Sequence, residues 1–156
     1  MTILSKILML FKGIKFFKSK EVALGVGSVT QYTVFECKQL FSIIFYRWNT
    51  VDQVRFHTHA FNAYAFLLRG YYEEKVIKDN KIINKTVNQL FKPRFLARNY
   101  CHSIGYAKPN TMTLVITGRW QDTWQEYFPD TEEWVTYSWG RQKTNKVKSG
   151  LLDESK

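Results

Sequence analysis

The feature that most constrains this chain is a close succession of short runs dominated by β-branched and aromatic residues. The runs are Gln31–Glu36, Leu40–Trp48, Val54–His59, Asn62–Leu68, Tyr71–Ile77, Lys81–Val87, Phe95–Ala97, His102–Tyr106, Met112–Thr117 and Trp134–Trp139. Turn residues stand between most of them, among them Gly70, Asp79-Asn80, Pro109-Asn110 and Pro129-Asp130. Asp-Asn between two strand-like runs marks a tight hairpin, because both residues tolerate positive φ. Many short strands without regular helical interludes predict an all-β sandwich or barrel and exclude alternating α/β architecture. With 156 residues, of which 17% are aromatic, one domain can bury a core without staples.

The two ends read differently. From Thr2 to Lys20, Ile3, Leu4, Ile7, Leu8, Leu10, Phe11, Ile14 and Phe17 fall on roughly one side of a helix. The expectation is a basic amphipathic helical segment over 1–21, a barrel over 22–140 and a basic polar tail over 141–156, with a short helical turn near Leu151. Lys6 and Lys12 interrupt the apolar face, which leaves no bilayer-length span, and no small-residue cleavage site follows. Such a segment can pack on its own barrel or a sister subunit in a homodimer, lie on a membrane surface, or bind a protein partner. We take the first as the expectation.

The formal charge of +10 suggests nucleic acid until it is divided along the chain. Residues 1–21 carry five Lys against Glu21, and residues 141–156 carry five basic residues against Asp153 and Glu154. The excess is therefore mostly terminal and says little about the barrel. Between Gly118 and Phe128 aromatics alternate with polar residues, but Asp122, Glu126, Asp130, Glu132 and Glu133 would repel a phosphate backbone. Nucleic acid is not the expected partner, and this stretch reads as core packing or a pocket lid. Cys37 and Cys101 are too few for a secreted disulfide framework and read as reduced thiols in a cytoplasmic protein. No phosphate-cradling glycine loop, Gly-x-Ser-x-Gly elbow or Cys-x-x-Cys pair occurs.

The chain has three histidines, His57, His59 and His102. Residues two apart in a strand project to one face, so the first two imidazoles can point inward together. His102 follows after about four predicted strands, enough chain to come back beside them. A lone histidine is more often an ordinary hydrogen-bonded residue than a ligand. Three on such a pattern predict a site for Zn, Fe, Ni, Cu or Mn with positions left open for water or substrate. Cys101 should face away from His102 as a buried structural thiol. Arg55 and Arg69 have the donor fork for a carboxylate or phosphate, and Tyr64, Tyr72 and Tyr106 are candidate pocket donors.

Arg55-Phe56-His57-Thr58-His59, followed by Gly70, resembles the first motif of the cupin superfamily, and His102 resembles the single histidine of the second. The likeness covers roughly 40–120 and is looser to small single-domain cupin-like proteins of bacteria and phages. It implies a double-stranded β-helix, or jelly-roll barrel, with His57, His59 and His102 as metal ligands. The first-motif glutamate should fall near 63 or 64, where Ala63 and Tyr64 stand, unless Asn62, Glu73 or Glu74 reaches the ion. Asn99, Ala97 and Tyr106 stand where the second motif has glycine, proline and asparagine. Three histidines without the glutamate are similar to the iron site of thiol dioxygenases.

The expectation is therefore a metal-dependent, Fe(II) dioxygenase-like enzyme on a small-molecule substrate, with Tyr64 and Arg69 as candidate catalytic residues. Zn, Mn and Ni are the other candidate ions. The alternative is a non-enzymatic cupin serving a structural, virion-assembly or host-interaction role, in a host's cytoplasm if viral.

Overall fold

The structure is a computed structural model that describes residues 14–23, 26–52, 55–138 and 142–148. Thirteen strands occur among them: β1 (Lys15–Ala23), β2 (Val26–Cys37), β3 (Phe41–Asp52), β4 (Phe56–His57), β5 (Ala63–Arg69), β6 (Tyr72–Lys78), β7 (Lys81–Val87), β8 (Pro93–Leu96), β9 (Cys101–Ala107), β10 (Thr111–Thr117), β11 (Thr123–Phe128), β12 (Glu133–Ser138) and β13 (Gln142–Lys148). They form a six-stranded sheet, β1-β2-β3-β10-β5-β8, and a seven-stranded sheet, β13-β12-β11-β4-β9-β6-β7. Neighbouring strands pair antiparallel throughout both sheets. The all-β expectation holds. Among the described residues no helix is long and apolar enough to cross a membrane.

Local chemistry explains the connections. Asp79 and Asn80 both have positive φ, 52° and 58°, and join β6 to β7 in the tight turn their side chains tolerate. Gly70, at φ 81°, turns β5 into β6 where a Cβ would lie 2.3 Å from Thr111 Oγ1, so no other residue fits. Alternation then sets the faces. Ala63, Ala65 and Leu67 of β5 are buried, as are Tyr72, Glu74 and Val76 of β6. Leu67, Tyr72, Val87, Ile104 and Ala107 make one core cluster, with Trp48 against it, and Ala63, Ala65 and Leu96 make another.

Two expectations at the ends are corrected. Residues 15–20, read as the end of an amphipathic helix, belong to strand β1, which pairs with β2 from Lys15↔Glu36 to Ala23↔Ser28. Phe16 and Phe17 are 57% and 84% exposed, so the segment is held by its backbone ladder and not by an apolar face. The rest of the expected helix, residues 1–13, lies outside the described residues. In the tail, Gln142–Lys148 is strand β13, paired with β12, and Leu151 lies outside the described residues. Between them, Thr123–Phe128, read as core packing or a lid, is strand β11.

Candidate metal centre

One row of residues crosses the seven-stranded sheet and carries two of the histidines. In Cα register, Glu126 of β11 faces His57 of β4, His57 faces His102 of β9, and His102 faces Val76 of β6. Directly opposed residues of antiparallel strands share a face with their Cβ atoms about 4.5–5.5 Å apart. His59 joins from the segment after β4. That segment is fixed by His59 N donating to Arg98 O at 3.1 Å, Thr58 N donating to Gln125 O at 2.8 Å and Gln125 N donating to Thr58 Oγ1 at 2.8 Å.

A one-residue slip brings His102 inward. Tyr72 pairs with Ala107 and Glu73 with Tyr106, but Glu74 pairs with Ile104 and Val76 with His102. Gly105 is the extra residue on β9. Were Gly105 paired in regular register instead, strict alternation from buried Ala107 would aim residues 105, 103 and 101 at the interior and turn His102 away.

The three imidazoles converge. One ring nitrogen from each of His57, His59 and His102 lies within 4.8 Å of the others. The Nε2 atoms of His59 and His102 are 3.2 Å apart. Two nitrogens about 2.0–2.1 Å from one ion, at angles between octahedral and tetrahedral, would stand about 2.9–3.4 Å apart. The His59 and His102 pair already has that spacing. Phe61 stacks on His59 with centroids 5.5 Å apart and planes at 20°, which restricts that ring.

Behind His102 stands Glu74, 1% exposed. Its Oε2 is 3.1 Å from His102 Nδ1, and its Oε1 accepts from Tyr100 OH at 2.7 Å and from Arg94 Nη2. Arg94 Nη1 also donates to Tyr72 OH. Burial by itself would raise the Glu74 carboxyl; the hydrogen bond and charge of His102, the Arg94 guanidinium and the Tyr100 hydroxyl outweigh it and hold the group at about 2. An ionised carboxylate only accepts, so Nδ1 of His102 donates to it and Nε2 is the ring atom turned toward His59. Burial, then the neighbouring rings, keeps His57 well below its usual value and His59 at about 3. Unprotonated imidazoles are what a metal requires.

The histidines line a cavity of about 360 Å³ whose walls are mostly apolar and aromatic, including Trp48, Phe61, Ala65, Leu96, Val115, Trp120 and Trp124. Trp120 and Trp124 come from the aromatic stretch 118–128. Tyr72 also lines the cavity, as expected of it. The other candidates do not come together there. Tyr64 projects from the outer face of β5, 52% exposed against Phe95, because Ala63, Ala65 and Leu67 occupy the inner positions. Arg69 is exposed at the end of the same strand, and Tyr106 is 41% exposed opposite Glu73. None of the three lines the cavity. The candidate carboxylates also separate: Glu73 is exposed, Asn62 Oδ1 accepts from Arg98 N at 2.7 Å, and Glu74 reaches a histidine. Cys101 is buried with Phe56 and Tyr127, away from His102, and burial pushes its thiol up to about 12. Cys37 is likewise a free, buried thiol.

With this geometry in hand, the chain can be set beside known proteins. No family profile and no curated protein sequence matches it. Solved structures do. A putative sugar phosphate isomerase from Acidithiobacillus ferrooxidans superposes with a TM-score of 0.54 at 14% identity, over 84% of this chain and 85% of that one. Oxalate decarboxylase from Bacillus subtilis gives 0.50 at 13% identity, over 68% of this chain and 28% of that one. The fold is that of the cupins. The Fe(II) form of HppE gives 0.50 at 13% identity, over 64% of this chain and 56% of its own. The chain thus spans under a third of the oxalate decarboxylase chain it resembles. At these identities the likeness concerns the cupin fold, and the site is argued from its own residues.

Arg94, Tyr100 and Glu126 are the residues near the histidines that sequence reasoning passed over as site residues. Arg94 sits in a four-residue strand whose neighbours gave no sign of a buried partner. Glu126 was read only as part of an acidic stretch, although its place opposite His57 makes it a wall of the cavity.

Proposed function

We propose that this cupin is a metal-dependent enzyme acting on a small molecule, with His57, His59 and His102 holding one divalent transition metal ion. The observation that carries the reading is the convergence of three imidazoles at an aromatic cavity, with His57 and His59 held unprotonated and the outer nitrogen of His102 bound to a buried carboxylate. A carboxylate on the far side of a ligating imidazole fixes its tautomer and orientation and raises its basicity, which is how metal histidines are usually supported. Three protein donors fit a catalytic site better than a closed structural one. Such an ion supplies Lewis acidity and open coordination positions, and one-electron chemistry if it is redox-active.

This chain's own residues do the rest. Glu74, anchored by Arg94 and Tyr100, keeps the His102 lone pair aimed at the site. Phe61, Trp120 and Trp124 hold a substrate against the histidines and keep water away. Fe(II) with dioxygenase-like chemistry is our leading assignment, supported by the all-nitrogen donor set and by the Fe(II) in HppE. Zn, Mn and Ni suit the same donors.

The test is elemental analysis of purified protein. About one equivalent of a transition metal is expected, lost in His102→Ala. Less than about a tenth of an equivalent, with no uptake on reconstitution, overturns the reading.

A second reading, a protein that also works by surface contact, is favoured by the outer face of the six-stranded sheet. Tyr64, Phe95, Leu90, Phe91 and Ile116 are exposed there or beside it. Our proposed occupant is a second copy of the chain, and sedimentation equilibrium decides it. Tyr64→Lys should leave only monomer, and a wild-type monomer at all concentrations removes the reading.

A further inference from the structure

The cavity's charge pattern speaks to its ligand. Among the described residues lining it there is no lysine or arginine. The one guanidinium close behind it, Arg94, is committed to Glu74 and Tyr72. Lys38 lies 4.8 Å from the centroid of the Trp120 ring but does not line the cavity. Among the described lining residues the single full charge is the carboxylate of Glu126, set directly across from His57 in the strand register. No described residue forms an ion pair with it.

A carboxylate bordering an apolar space loses solvation as a ligand enters, and the loss is offset only by a donor or a cation on that ligand. An incoming carboxylate or phosphate would instead face Glu126 with no cation among the lining residues to answer it. The other walls agree. Trp48, Trp120, Trp124 and Tyr72 present ring surfaces, which attract cations and stack with aromatic groups.

Resting on the reading of this cavity as a substrate site, we propose that it takes an arylalkyl amine in its ammonium form, with the ring among the tryptophans and the cation at Glu126. Carboxylates and phosphates of the same size are excluded. An ion on the histidines adds positive charge at that one point, so selection at Glu126 is judged with and without it.

The experiment uses three probes of matched size: benzylammonium, benzyl alcohol and benzoate. Each is titrated into metal-free and zinc-loaded protein near neutral pH, following tryptophan fluorescence, with zinc content measured on the same samples. In metal-free protein benzylammonium should bind about tenfold more tightly than benzoate, the scale of one charge contact in a partly dry site, with benzyl alcohol between them. Glu126→Gln should collapse that ratio toward one, and Glu126→Asp should keep part of it. Benzoate binding as tightly as benzylammonium in metal-free protein overturns the proposal. So does a ratio unchanged in Glu126→Gln, or no binding of any probe at about 1 mM. If zinc is not taken up while the ratio holds, the metal reading fails and the ligand class stands. If zinc binds and benzoate wins, the reverse is true.

Discussion

Glu74 and Glu126 both stand within one strand of a site histidine, and their surroundings are opposite. Glu74 is 1% exposed and answered by Arg94, Tyr100 and His102; Glu126 is half-buried, borders the cavity and has no ion-pair partner among the described residues. The fold buries a charge completely only where neighbours match it, and there the charge serves orientation. Where it leaves one unmatched at a cavity wall, the matching group is free to come from a ligand.

The sharpest way to break this comparison is to strand Glu74. Arg94→Met removes the guanidinium and leaves a buried carboxylate short of its cation, which should cost about 3–5 kcal/mol in urea denaturation. A loss under about 1 kcal/mol would mean that the network is looser than its geometry. Next in size, Glu74→Gln keeps the shape but weakens the acceptor at His102 Nδ1. Metal affinity, measured by competition with a chelator, should fall about 10–100-fold with all three histidines in place.

Acidification probes the same region without mutation. Burial, then His102, holds His59 at about 3, whereas the ring in an unfolded chain titrates near 6.5. Between those values the unfolded chain binds a proton that the folded one refuses. Stability of the metal-free protein therefore rises with pH through that window and is lost progressively on acidification below about 6.5. A flat denaturation midpoint between about pH 4.5 and 7 would contradict the buried, unprotonated state of the ring.

Smaller still, Glu126→Gln should change stability by no more than about 0.5 kcal/mol and leave metal content at wild-type level. If it destabilises as much as Glu74→Gln, the two carboxylates are not different in kind. Arg69→Ala, at an exposed strand end, should alter neither stability nor metal content measurably.

The legible part of the molecule is the part with a two-residue rhythm of burial. Ala63, Ala65 and Leu67 alternate with Tyr64, Phe66 and Leu68, and Tyr72, Glu74 and Val76 alternate with exposed neighbours, so β5 and β6 could be read directly. The same rhythm put His57 and His59 on one side, and the tight Asp79-Asn80 turn followed from its residues. Strand β1 carried no such signal. Lys15 to Lys20 are all exposed, so a helical periodicity read through Ile14 and Phe17 competed with nothing, and the ladder to β2 decides the outcome. Strand β13 is likewise set by its ladder to β12. No carboxylate among the described residues joins the three rings in place of the one that motif spacing put near position 63; Glu74 instead backs His102 from the adjoining strand, a relation between two segments that one segment cannot reveal.

The slip at Gly105 stores the phase of strand β9 in a single unpaired residue. An ideal Cβ there would meet only Lys75 Cε, at 4.0 Å, so Gly105→Ala should be accepted with little consequence. Removing the residue altogether would erase the slip and leave Glu74 opposite Ile104 and Val76 opposite His102, whereas one further residue inserted in regular pairing between Ile104 and His102 would carry His102 to the outer face, away from its partners. This strand is thus tolerant of spelling, and of losing its spare residue, but intolerant of added length: its chemistry depends on an even number of paired steps between Ala107 and His102.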